Sequence, residues 1–559
     1  MWRIISVFGI IVCSFVVIVF RLFYWQIIRS DALRLQASSQ YTDTLTLPAQ
    51  RGKIQSFDTS PLVMNVPAYL VYAHPREITD QNNFIQLAAP ILSVDATTIS
   101  AQLARKDLYW VPLARKVDSD KVDVIKNLHL TGIGFEPESK RYYPEATLAA
   151  QLLGFVGHDQ SGQDKGYFGL EGYYDRELRG KDGFVQRERD AMGAPILIGL
   201  TQRVEPENGR TLNLWIDKTI QQIAEKRLSE GISRYQAKEG SVVIMDPETG
   251  GILAMASNPS YDPANYSVFD KSLYKNPIVA GSYEPGSTFK VFIMSAAINE
   301  HRVTSKTTMD ETGPLTIGDY VIRTWNNQYH GTQTMTEVIQ HSSNVGMVFV
   351  QRKLGKDALL KYIHAFGFGT PTGVDLEEES SPDVRSDNQW GEIDLATASF
   401  GQGTAVTPLQ MVRAVSVIAN GGWLVEPHVV RSIVDSHGRV IQNPVKRISR
   451  ILSNSTTDIM TEMMVNAVDN GEAKWAKPPG YRIAGKTGTA QIPVAGHYDE
   501  NKTIASFIGF APADHPQFAM LVTLREPSTS PWGSETAAPL FFSIAKDILI
   551  YKGIPPAIN

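Results

Sequence analysis

The sequence has very little cysteine and no excess of charge of either sign. Cys13 is the single cysteine among 559 residues, which excludes an intrachain disulfide and a cysteine-based metal site. Lys and Arg number 53 and Asp and Glu number 58, so the net charge is −5. Because nucleic-acid binding depends on a basic surface, nothing in this balance suggests nucleic acid as a partner. Internal repeats and low-complexity tracts are missing as well.

Charge is missing altogether from one stretch near the N-terminus. Residues from Ile4 to Phe20 are uncharged, and as a helix they would span about 25 Å, close to the thickness of a hydrocarbon core. Arg21 and a group of aromatic residues follow, which suits a membrane interface. No small-x-small cleavage site comes after the apolar run, which is also long for a signal peptide. We therefore predict an uncleaved transmembrane anchor within residues 1–29.

The basic residues around this anchor leave its orientation open. Arg3 precedes the apolar run, and Arg21, Arg29 and Arg34 follow it. A positive-inside count therefore does not favour placing the large C-terminal part outside the cell. The topology has to be argued from function.

The chain is too long for one hydrophobic core, so several domains are expected. A mixed α/β region is predicted over residues 30–235. The segment GSVVIMDPETGGILAMAS, at 240–257, has two apolar runs around a Pro/Gly turn and predicts a hairpin. We take it as the start of an enzyme domain over 236–559. The predicted fold class is thus multidomain α+β, with a transmembrane helix first.

Several elements are predicted from periodicity alone. Helical spacing with one apolar face runs from Ile220 to Ile232, and FIGFAP and FAMLVTL have the composition of strands. The remaining predictions are a strand at Tyr41–Leu47, short helices at Phe84–Leu92 and Val122–Leu128, and a closing helix at Ala537–Tyr551.

The first chemical motif is Ser287-Thr288-Phe289-Lys290. Pro285-Gly286 precedes it and an apolar run follows, which predicts a turn into a buried helix. Residues three apart on a helix are neighbours, so Lys290 can lie beside the Ser287 hydroxyl and act as its base if burial lowers the lysine pKa. The same S-x-x-K pattern occurs at Ser272–Lys275 and Ser543–Lys546, so the pattern alone is weak.

The second motif is Ser342-Ser343-Asn344, followed by the apolar run Val345 to Val350. An Asn side chain offers a donor and an acceptor to a peptide-like substrate, and a serine hydroxyl can relay a proton. Ser386-Asp387-Asn388 fits the S-x-N pattern equally well. It lies among polar residues with no apolar element to hold it, and a catalytic group needs a fixed position. We therefore prefer the copy at 342–344.

The third motif is Lys486-Thr487-Gly488-Thr489, within RIAGKTGTAQI, which has the composition of a strand. Glycine at position 488 would allow the backbone of a ligand to come close. The Lys486 ammonium and the hydroxyls of Thr487 and Thr489 are suitable ligands for a carboxylate. Alone, the motif is more typical of an ordinary edge strand with a solvated lysine.

Together, the three motifs in this order are known from β-lactamases and penicillin-binding proteins. Residues 240–559 resemble the transpeptidase domain of class B penicillin-binding proteins through YEPGSTFK, HSSNVGM, SFGQGTAVTPLQM, IAGKTGTAQIP and GSETAAPLFF. The preceding region resembles the non-catalytic pedestal of that family through RGKI, RYYPEATLAAQLLGFVG and GLEGYYDRELRGKDG. One departure is QSFDTSP at 55–61, where the family usually has an Asp-Arg-x-Gly turn. The resemblance implies a penicillin-binding fold, an antiparallel sheet with helices on both faces.

The resemblance also implies residue roles. Ser287 would be the acylated nucleophile and Lys290 its base, while Ser342 would relay a proton and Asn344 would hold the substrate amide. Lys486 would tune the electrostatics of the site. The implied reaction releases D-alanine from a stem peptide, forms an acyl-enzyme and passes the acyl group to an amine. β-Lactams would stall it at the acyl stage.

The substrate would be held by the third motif. By resemblance, Thr487 and Thr489 would bind the terminal carboxylate of a D-Ala-D-Ala stem peptide, with Gly488 between them. The backbone N–H groups of Ser287 and Thr489 would form the oxyanion hole. No metal or other cofactor is expected for this chemistry.

Cellular placement follows only from the family. Crosslinking of stem peptides takes place outside the plasma membrane, which places the catalytic domain on the extracytoplasmic side. The first 235 residues contain no glycosyltransferase block, which implies a separate membrane glycosyltransferase as partner. The GQGTAVTPLQ and GSETAAPLFF stretches are more similar to division-type (FtsI-like) members, with divisome partners, than to elongation-type members.

Three alternatives stay open. A carboxypeptidase or β-lactamase would pass the acyl group to water, but the Glu-x-x-Leu-Asn loop of class A β-lactamases is missing, and Glu377-Glu378-Glu379-Ser380 is better interpreted as a solvated loop. An elongation-type transpeptidase is the second alternative. The third is a penicillin sensor or scaffold without catalysis, which the three intact motifs disfavour.

Overall fold

A computed structural model describes residues 1–33, 42–188, 201–494 and 497–557. It divides into two compact units, each described here by itself. The first comprises Met1–Arg51 and Arg179–Gly209, and the second comprises Gly52–Leu178 and Arg210–Asn559.

The helices of the described residues are numbered in chain order. They are α1 (Trp2–Phe23), α2 (Gln81–Leu92), α3 (Ala96–Leu103), α4 (Ser119–Asn127), α5 (Ala150–Leu153), α6 (Gly169–Tyr173), α7 (Asp175–Arg179), α8 (Lys218–Tyr235), α9 (Pro277–Ala280), α10 (Lys290–Asn299), α11 (Met335–Gln340), α12 (Asn344–Leu354), α13 (Lys356–Ala365), α14 (Glu392–Ala398), α15 (Pro408–Ala419), α16 (Asn454–Asn470) and α17 (Ala537–Tyr551).

The strands of the described residues follow the same order. They are β1 (Thr42–Leu47), β2 (Ile54–Gln55), β3 (Pro61–Ala73), β4 (Val111–Asp118), β5 (Ile133–Tyr142), β6 (Phe155–His158), β7 (Asp164–Tyr167), β8 (Gly183–Glu188), β9 (Thr201–Val204), β10 (Thr211–Leu214), β11 (Glu239–Met245), β12 (Ile252–Asn258), β13 (Thr308–Glu311), β14 (Leu315–Ile317), β15 (Tyr320–Ile322), β16 (Gly331–Thr334), β17 (Trp423–Val425), β18 (Val430–Val434), β19 (Val440–Gln442), β20 (Arg447–Arg450), β21 (Ala484–Val494), β22 (His497–Ala511) and β23 (Phe518–Arg525).

The first unit contains the predicted anchor. Helix α1 continues through one π-helical turn, and the apolar segment Trp2–Ile28 is 27 residues long, has no buried residue and contains an 18-residue stretch with a mean hydropathy of 2.7. Its length and composition suit a membrane span, and it is longer than the predicted run from Ile4. The same unit holds an antiparallel sheet in the order β1-β8-β9.

In the second unit, a seven-stranded sheet has the order β19-β18-β10-β2-β3-β4, with β5 paired to β3. Helices α2, α3 and α4 share a buried core with β3 and β4, formed by residues such as Phe84, Ile99 and Val122. Strands β18 and β19 lie far along the chain but pair with β10. The predicted domain boundary at 235/236 stays a prediction, since the seven-stranded sheet includes strands from both sides of it.

The five-stranded antiparallel sheet, in the order β12-β11-β23-β22-β21, positions the site. Successive residues of β11 enter different cores: Val242 and Ile244 pack with α8 and α17, whereas Val243 and Met245 pack in the core that contains α10, α12 and α15. This alternation follows from the two-residue period of a strand. The predicted antiparallel sheet with helices on both faces is confirmed.

Most predicted elements are present. Structure and prediction agree for β1, α2, α4, α8, α17 and the β11–β12 hairpin to within a few residues. Tyr41, which opens the predicted first strand, lies outside the described residues.

The unusual segment QSFDTSP forms its own turn. The Asp58 carboxylate accepts hydrogen bonds from the hydroxyls of Ser56 and Ser60 and from the Ser60 backbone N–H at 3.1 Å. These bonds lower the pKa of Asp58 to about 2. The Phe57 ring lies 4.3 Å from the Arg431 guanidinium. The backbone N–H of Phe57 donates to the Ile216 carbonyl. Polar self-pairing therefore replaces the turn that is usual at this position.

Candidate active site

Ser287 lies in a tight turn at the start of a buried helix, as predicted. Residues Gly286–Phe289 form one 3₁₀ turn, and α10 continues from Lys290 with nearly every side chain buried. Gly286 has φ = +56°, and its N–H donates to the Gly401 carbonyl at 3.0 Å. A Cβ at Gly401 would lie 2.2 Å from the Gly286 carbonyl, so two glycines allow these backbones to meet. Ser287 keeps partial exposure at the N-terminal end of the turn.

Lys290 joins the first motif to the second. Its side chain is fully buried, and its Nζ donates to the Ser342 carbonyl at 2.6 Å, to Asn344 Oδ1 at 2.7 Å and to the Ser342 hydroxyl at 3.3 Å. The Lys290 backbone N–H donates to the Ser287 carbonyl, but within the part of the chain that the structure describes no hydrogen bond joins the Lys290 ammonium to the Ser287 hydroxyl. In this structure the ammonium is therefore held by the second motif and not by the nucleophile's hydroxyl.

The second motif is held in place by an unusual backbone and a buried acid. Ser342 has φ = +58°, which turns its carbonyl and hydroxyl towards Lys290. Ser343 caps α12 by accepting from the Gly346 N–H at 2.8 Å, and its hydroxyl donates to the Glu311 carboxylate. The Asn344 amide donates to the Arg323 carbonyl at 2.8 Å. All three residues of the motif are thereby fixed.

The third motif lies on β21, which is the last strand of the five-stranded sheet, so one of its edges has no partner strand among the described residues. Lys486, Gly488 and Ala490 are buried, whereas Thr487 and Thr489 are partly exposed, as strand alternation requires. The Lys486 Nζ lies 3.1 Å from the Thr487 hydroxyl and 3.3 Å from its carbonyl.

Close packing holds β21 beside the nucleophile turn. A Cβ at Gly488 would lie 2.4 Å from Ser506 Oγ and 2.8 Å from Thr288 Cγ2. A Cβ at Gly286 would be 3.3 Å from the Thr489 carbonyl. The Gly533 N–H donates to the Thr489 hydroxyl at 3.0 Å, which fixes this side chain and leaves its proton free to donate.

The electrostatics of the site are set by two buried lysines. Burial is the largest cause that lowers the pKa of Lys290 well below its usual value, and the positive charge of Lys486 lowers it further. Burial also lowers the pKa of Lys486. The carboxylates of Glu472 and Glu311 oppose this shift at Lys290, and Glu472 opposes it at Lys486. A neutral Lys290 is suited to act as a general base.

The competing motifs lie elsewhere. Ser272 and Lys275 are exposed at a 3₁₀ turn, and Lys546 is exposed on α17, so neither rival lysine is desolvated. Ser386-Asp387-Asn388 is exposed, and Asp387 lies 3.5 Å from His364. Among the described residues, only the copy at 342–344 contacts Lys290.

Sequence reasoning missed Glu311, Glu472 and Gly533. Glu311 is buried on β13, which has no motif of its own, although its burial pattern alternates. Glu472 lies between α16 and β21, and Gly533 reaches the site only through folding. An acid 14 residues before a predicted catalytic lysine carries no pattern that separates it from a surface acid.

The acidic segment at 377–379 is not simply solvated. The Glu377 carboxylate accepts from the Phe168 N–H at 2.7 Å, and the Glu379 carboxylate accepts from the Thr372 N–H at 2.6 Å. These acids hold loops together, so the interpretation as a solvated loop was incomplete. The described residues contain no group of His, Cys, Asp or Glu arranged to hold a metal.

Comparison with known families gives two matches. The pattern of the penicillin binding protein transpeptidase domain matches residues 240–549, and that of the penicillin-binding protein dimerisation domain matches residues 46–214. Together they account for most of the chain.

Individual proteins give the same result. The chain is 35% identical to Stage V sporulation protein D of Bacillus subtilis (strain 168), over 99% of this chain and 86% of the relative. It is 30% identical to the peptidoglycan D,D-transpeptidase FtsI of Escherichia coli (strain K12), over 99% and 92%. A crystal structure of penicillin binding protein 3 from Mycobacterium tuberculosis, complexed with aztreonam, superposes with a TM-score of 0.71 at 26% identity, over 92% of this chain and 99% of that chain.

Proposed function

Because this chain belongs to the penicillin-binding protein transpeptidase family, we propose that it is a membrane-anchored peptidoglycan D,D-transpeptidase acylated at Ser287. The observation that carries the proposal is the position of Lys290, which is fully buried and hydrogen-bonded to both Ser342 and Asn344. A desolvated lysine beside a serine in a helix-opening turn is the arrangement that activates a hydroxyl nucleophile.

The acylation step follows from these contacts. Neutral Lys290 takes the Ser287 proton as the serine oxygen attacks the carbonyl of the penultimate D-alanine. The backbone N–H groups of Ser287 and Thr489 stabilise the oxyanion. The proton then passes through the Ser342 hydroxyl, which lies 3.3 Å from Lys290, to the nitrogen of the leaving D-alanine. The C–N bond breaks, and the ester on Ser287 remains.

Substrate binding is assigned to the third motif. The free edge of β21 allows an extended stem peptide to add as a further strand. Thr487 and Thr489 are partly exposed on that strand, and they donate to the terminal carboxylate. Lys486 supplies positive charge beside them, and Gly488 keeps the strand close to the nucleophile. Asn344 holds the substrate amide.

A fluorescent penicillin tests the nucleophile. The full-length protein in detergent should become covalently labelled, and Ser287→Ala should abolish the label. The matched control is Ser272→Ala, which removes the exposed serine of a rival motif and should label like the parent. Loss of label in the control, or its retention in Ser287→Ala, would refute the assignment.

The acyl acceptor separates transpeptidase from hydrolase. With a stem pentapeptide as donor and a second stem peptide as amine acceptor, the full-length protein should release D-alanine and form a crosslinked product. Release of D-alanine without crosslinking would favour a carboxypeptidase, and rapid turnover of the penicillin would favour a β-lactamase. A penicillin sensor would form the acyl-enzyme and neither product.

The catalytic domain is placed on the extracytoplasmic side of the plasma membrane, because its substrate lies there. The helix at Trp2–Ile28 supports a single span. The test uses Cys13→Ser combined with Ser272→Cys, so that the one thiol lies on an exposed turn of the enzyme domain. A membrane-impermeant maleimide should label this variant in intact cells. Labelling only after lysis would indicate that the enzyme domain lies on the cytoplasmic side.

A role in septal wall synthesis is supported by the 30% identity to FtsI, with a separate membrane glycosyltransferase and divisome proteins as partners. Depletion should then produce filaments, whereas round cells would indicate elongation. The 35% identity to a stage V sporulation protein favours a second candidate, wall synthesis in sporulation. That role predicts normal vegetative cells and defective spores on depletion.

A further inference from the structure

Two buried lysines lie in the site without a carboxylate within ion-pair distance among the described residues. Lys290 is 0% exposed and Lys486 is 3% exposed. The acceptors of Lys290 are on Ser342 and Asn344, and those of Lys486 are on Thr487, so every one of these partners is neutral. Because burial disfavours the charged form of each lysine, an acid at a longer distance can still stabilise that form and so influence when each lysine is charged.

The Glu311 carboxylate already has hydrogen-bond partners. Its carboxylate accepts from Gln333 Nε2 at 2.8 Å, from the Ser343 hydroxyl and from the His330 N–H at 3.3 Å. These bonds fix β13 to the second motif, and they give both carboxylate oxygens of Glu311 a partner. Its negative charge raises the pKa of Lys290, whereas at Lys486 the acid that opposes the effect of burial is Glu472.

Glu472 is different, because its Oε1 atom is buried and has no hydrogen-bond partner among the described residues. An unpaired carboxylate oxygen in a protein interior needs an explanation, since its desolvation is not offset by a hydrogen bond. The nearby acid Asp469, at the C-terminal end of α16, forms an ion pair with Lys477. Glu472 is therefore an acid of the connection between α16 and β21 that forms no ion pair among the described residues.

The fold places Glu472 between the second and third motifs. Asn466, near the end of α16, donates to the Gln340 side chain at 2.8 Å. A Cβ at Gly471 would lie 3.3 Å from the Gln340 carbonyl, two residues before Ser342. The chain then enters β21, which carries Lys486. One short connection thus contacts the helix that leads to Ser342 and continues into the strand of Lys486.

We propose that Glu472 is the shared counter-charge of Lys290 and Lys486, a positioning residue that sets the pH range in which Ser287 is acylated. The inference rests on the proposed function of the site. The charged groups that face Lys290 are Lys486 on β21, Glu472 on the α16–β21 connection and Glu311 on β13. Glu472 is the acid that acts on both lysines, and it raises the pKa of each against the effect of burial.

The sign of the effect makes a sharp test. Removing the Glu472 charge lowers the pKa of Lys290, so the base becomes neutral at a lower pH. In a plot of the acylation rate against pH, the acidic limb therefore moves to lower pH. The pKa of Lys486 also falls. If loss of the Lys486 charge, which the site uses to bind the carboxylate, sets the basic limb of the rate, that limb shifts in the same direction. The rate of acylation by a fluorescent penicillin is measured on the full-length protein from about pH 5 to about pH 10.

Glu472→Gln should move both limbs down by about 1 pH unit. Glu472→Asp keeps the charge and should stay near the parent. Asp458→Asn, which removes an exposed charge from α16, should leave both limbs unchanged. A merely structural role would lower the rate or the melting temperature without moving the limbs.

If the acidic and basic limbs of the acylation rate of Glu472→Gln lie at the same pH values as those of the parent, the proposal is overturned. If that variant does not fold, Glu472→Thr, which removes the same charge with a smaller side chain, decides between the same two results. A parent that is not labelled at Ser287 at any pH contradicts the proposed function instead, so the two failures are distinguishable.

Discussion

The Lys290 ammonium donates a 2.6 Å hydrogen bond to the backbone carbonyl of Ser342, a residue 52 positions further along the chain. The bond depends on the left-handed backbone of Ser342, whose φ is +58°. Burial of both residues removes competing water, so the contact holds the base and the proton relay at a fixed separation. Because Lys290 is shielded from solvent, its pKa depends strongly on the charges near it.

The first prediction concerns Lys486 as a neighbouring cation. Its charge lowers the pKa of Lys290, so Lys486→Met should raise that pKa and move the acidic limb of acylation up by about 1 pH unit. This direction is opposite to that expected for Glu472→Gln. The measurement is the rate of fluorescent penicillin labelling against pH. An unchanged or downward limb would show that Lys486 acts only through substrate binding.

The second prediction separates the hydroxyl of Ser342 from its backbone. Ser342→Gly removes the hydroxyl but adopts φ = +58° without strain and keeps the carbonyl that accepts from Lys290. Acylation should fall about 10²-fold, as expected for loss of a proton relay, with the melting temperature nearly unchanged.

Ser342→Ala is the matched comparison. It loses the same hydroxyl but keeps the Cβ that Ser342 already holds in the left-handed region, which costs about 1 kcal/mol relative to glycine. It should therefore match Ser342→Gly in acylation rate and unfold at a lower temperature. Acylation of Ser342→Gly at the parental rate would remove the hydroxyl from the mechanism.

The sequence predicts the large elements of this fold because their patterns are local. The 3.6-residue spacing in α8 and the two apolar runs of β11 and β12 are visible without tertiary information. The site is predictable for a different reason, since Ser287, Ser342 and Lys486 each stand in a recognisable motif. What local patterns cannot supply is the contact that joins the motifs: a helix spacing places Lys290 beside Ser287, yet its hydrogen bonds go to Ser342 and Asn344.

Long-range acids are the other part that the sequence does not reveal. Glu311 and Glu472 act on Lys290 across elements that meet only after folding, and neither has a neighbour in sequence that marks it. The pairing of β18 with β10 is similar, since strands more than 200 residues apart form one sheet. Such contacts depend on tertiary packing and not on propensity.

The third prediction concerns the closeness of β21 to the nucleophile turn. In Gly488→Ala the new methyl would meet Ser506 Oγ at 2.4 Å and Thr288 Cγ2 at 2.8 Å, so the strand must move away from Ser287. The overpacking should cost about 1–3 kcal/mol of stability, and acylation should fall by at least about tenfold.

A rescue variant makes this result specific. The Ser506 hydroxyl is buried without a hydrogen-bond partner among the described residues, so Ser506→Ala removes the nearest obstacle at little cost. Gly488→Ala with Ser506→Ala should therefore recover part of the acylation rate. Gly313→Ala, at a glycine with open space around it, is the control and should behave like the parent. Absence of any recovery would indicate that Gly488 matters for substrate access rather than for packing.

The fourth prediction concerns the ion pair between Arg141 and Glu171 in the region matched by the dimerisation domain. Arg141 Nε donates to Glu171 at 2.7 Å with side-chain exposures of 6% and 0%, and Arg141 also donates to the Gly52 carbonyl at 2.6 Å. Arg141→Met removes one partner of this buried ion pair, which should cost about 3–5 kcal/mol.

An exposed pair provides the control for this substitution. Arg115 lies 2.6 Å from Glu138, but its side chain is 52% exposed, so solvent screens the interaction and Arg115→Met should cost less than about 1 kcal/mol. The free energy of unfolding is measured for both variants by denaturant titration of the full-length protein. Equal losses would mean that burial does not decide the strength of these pairs. A larger loss for Arg141→Met would show that this ion pair, far in sequence from Ser287, is part of what keeps Gly52 and the strands around it in place.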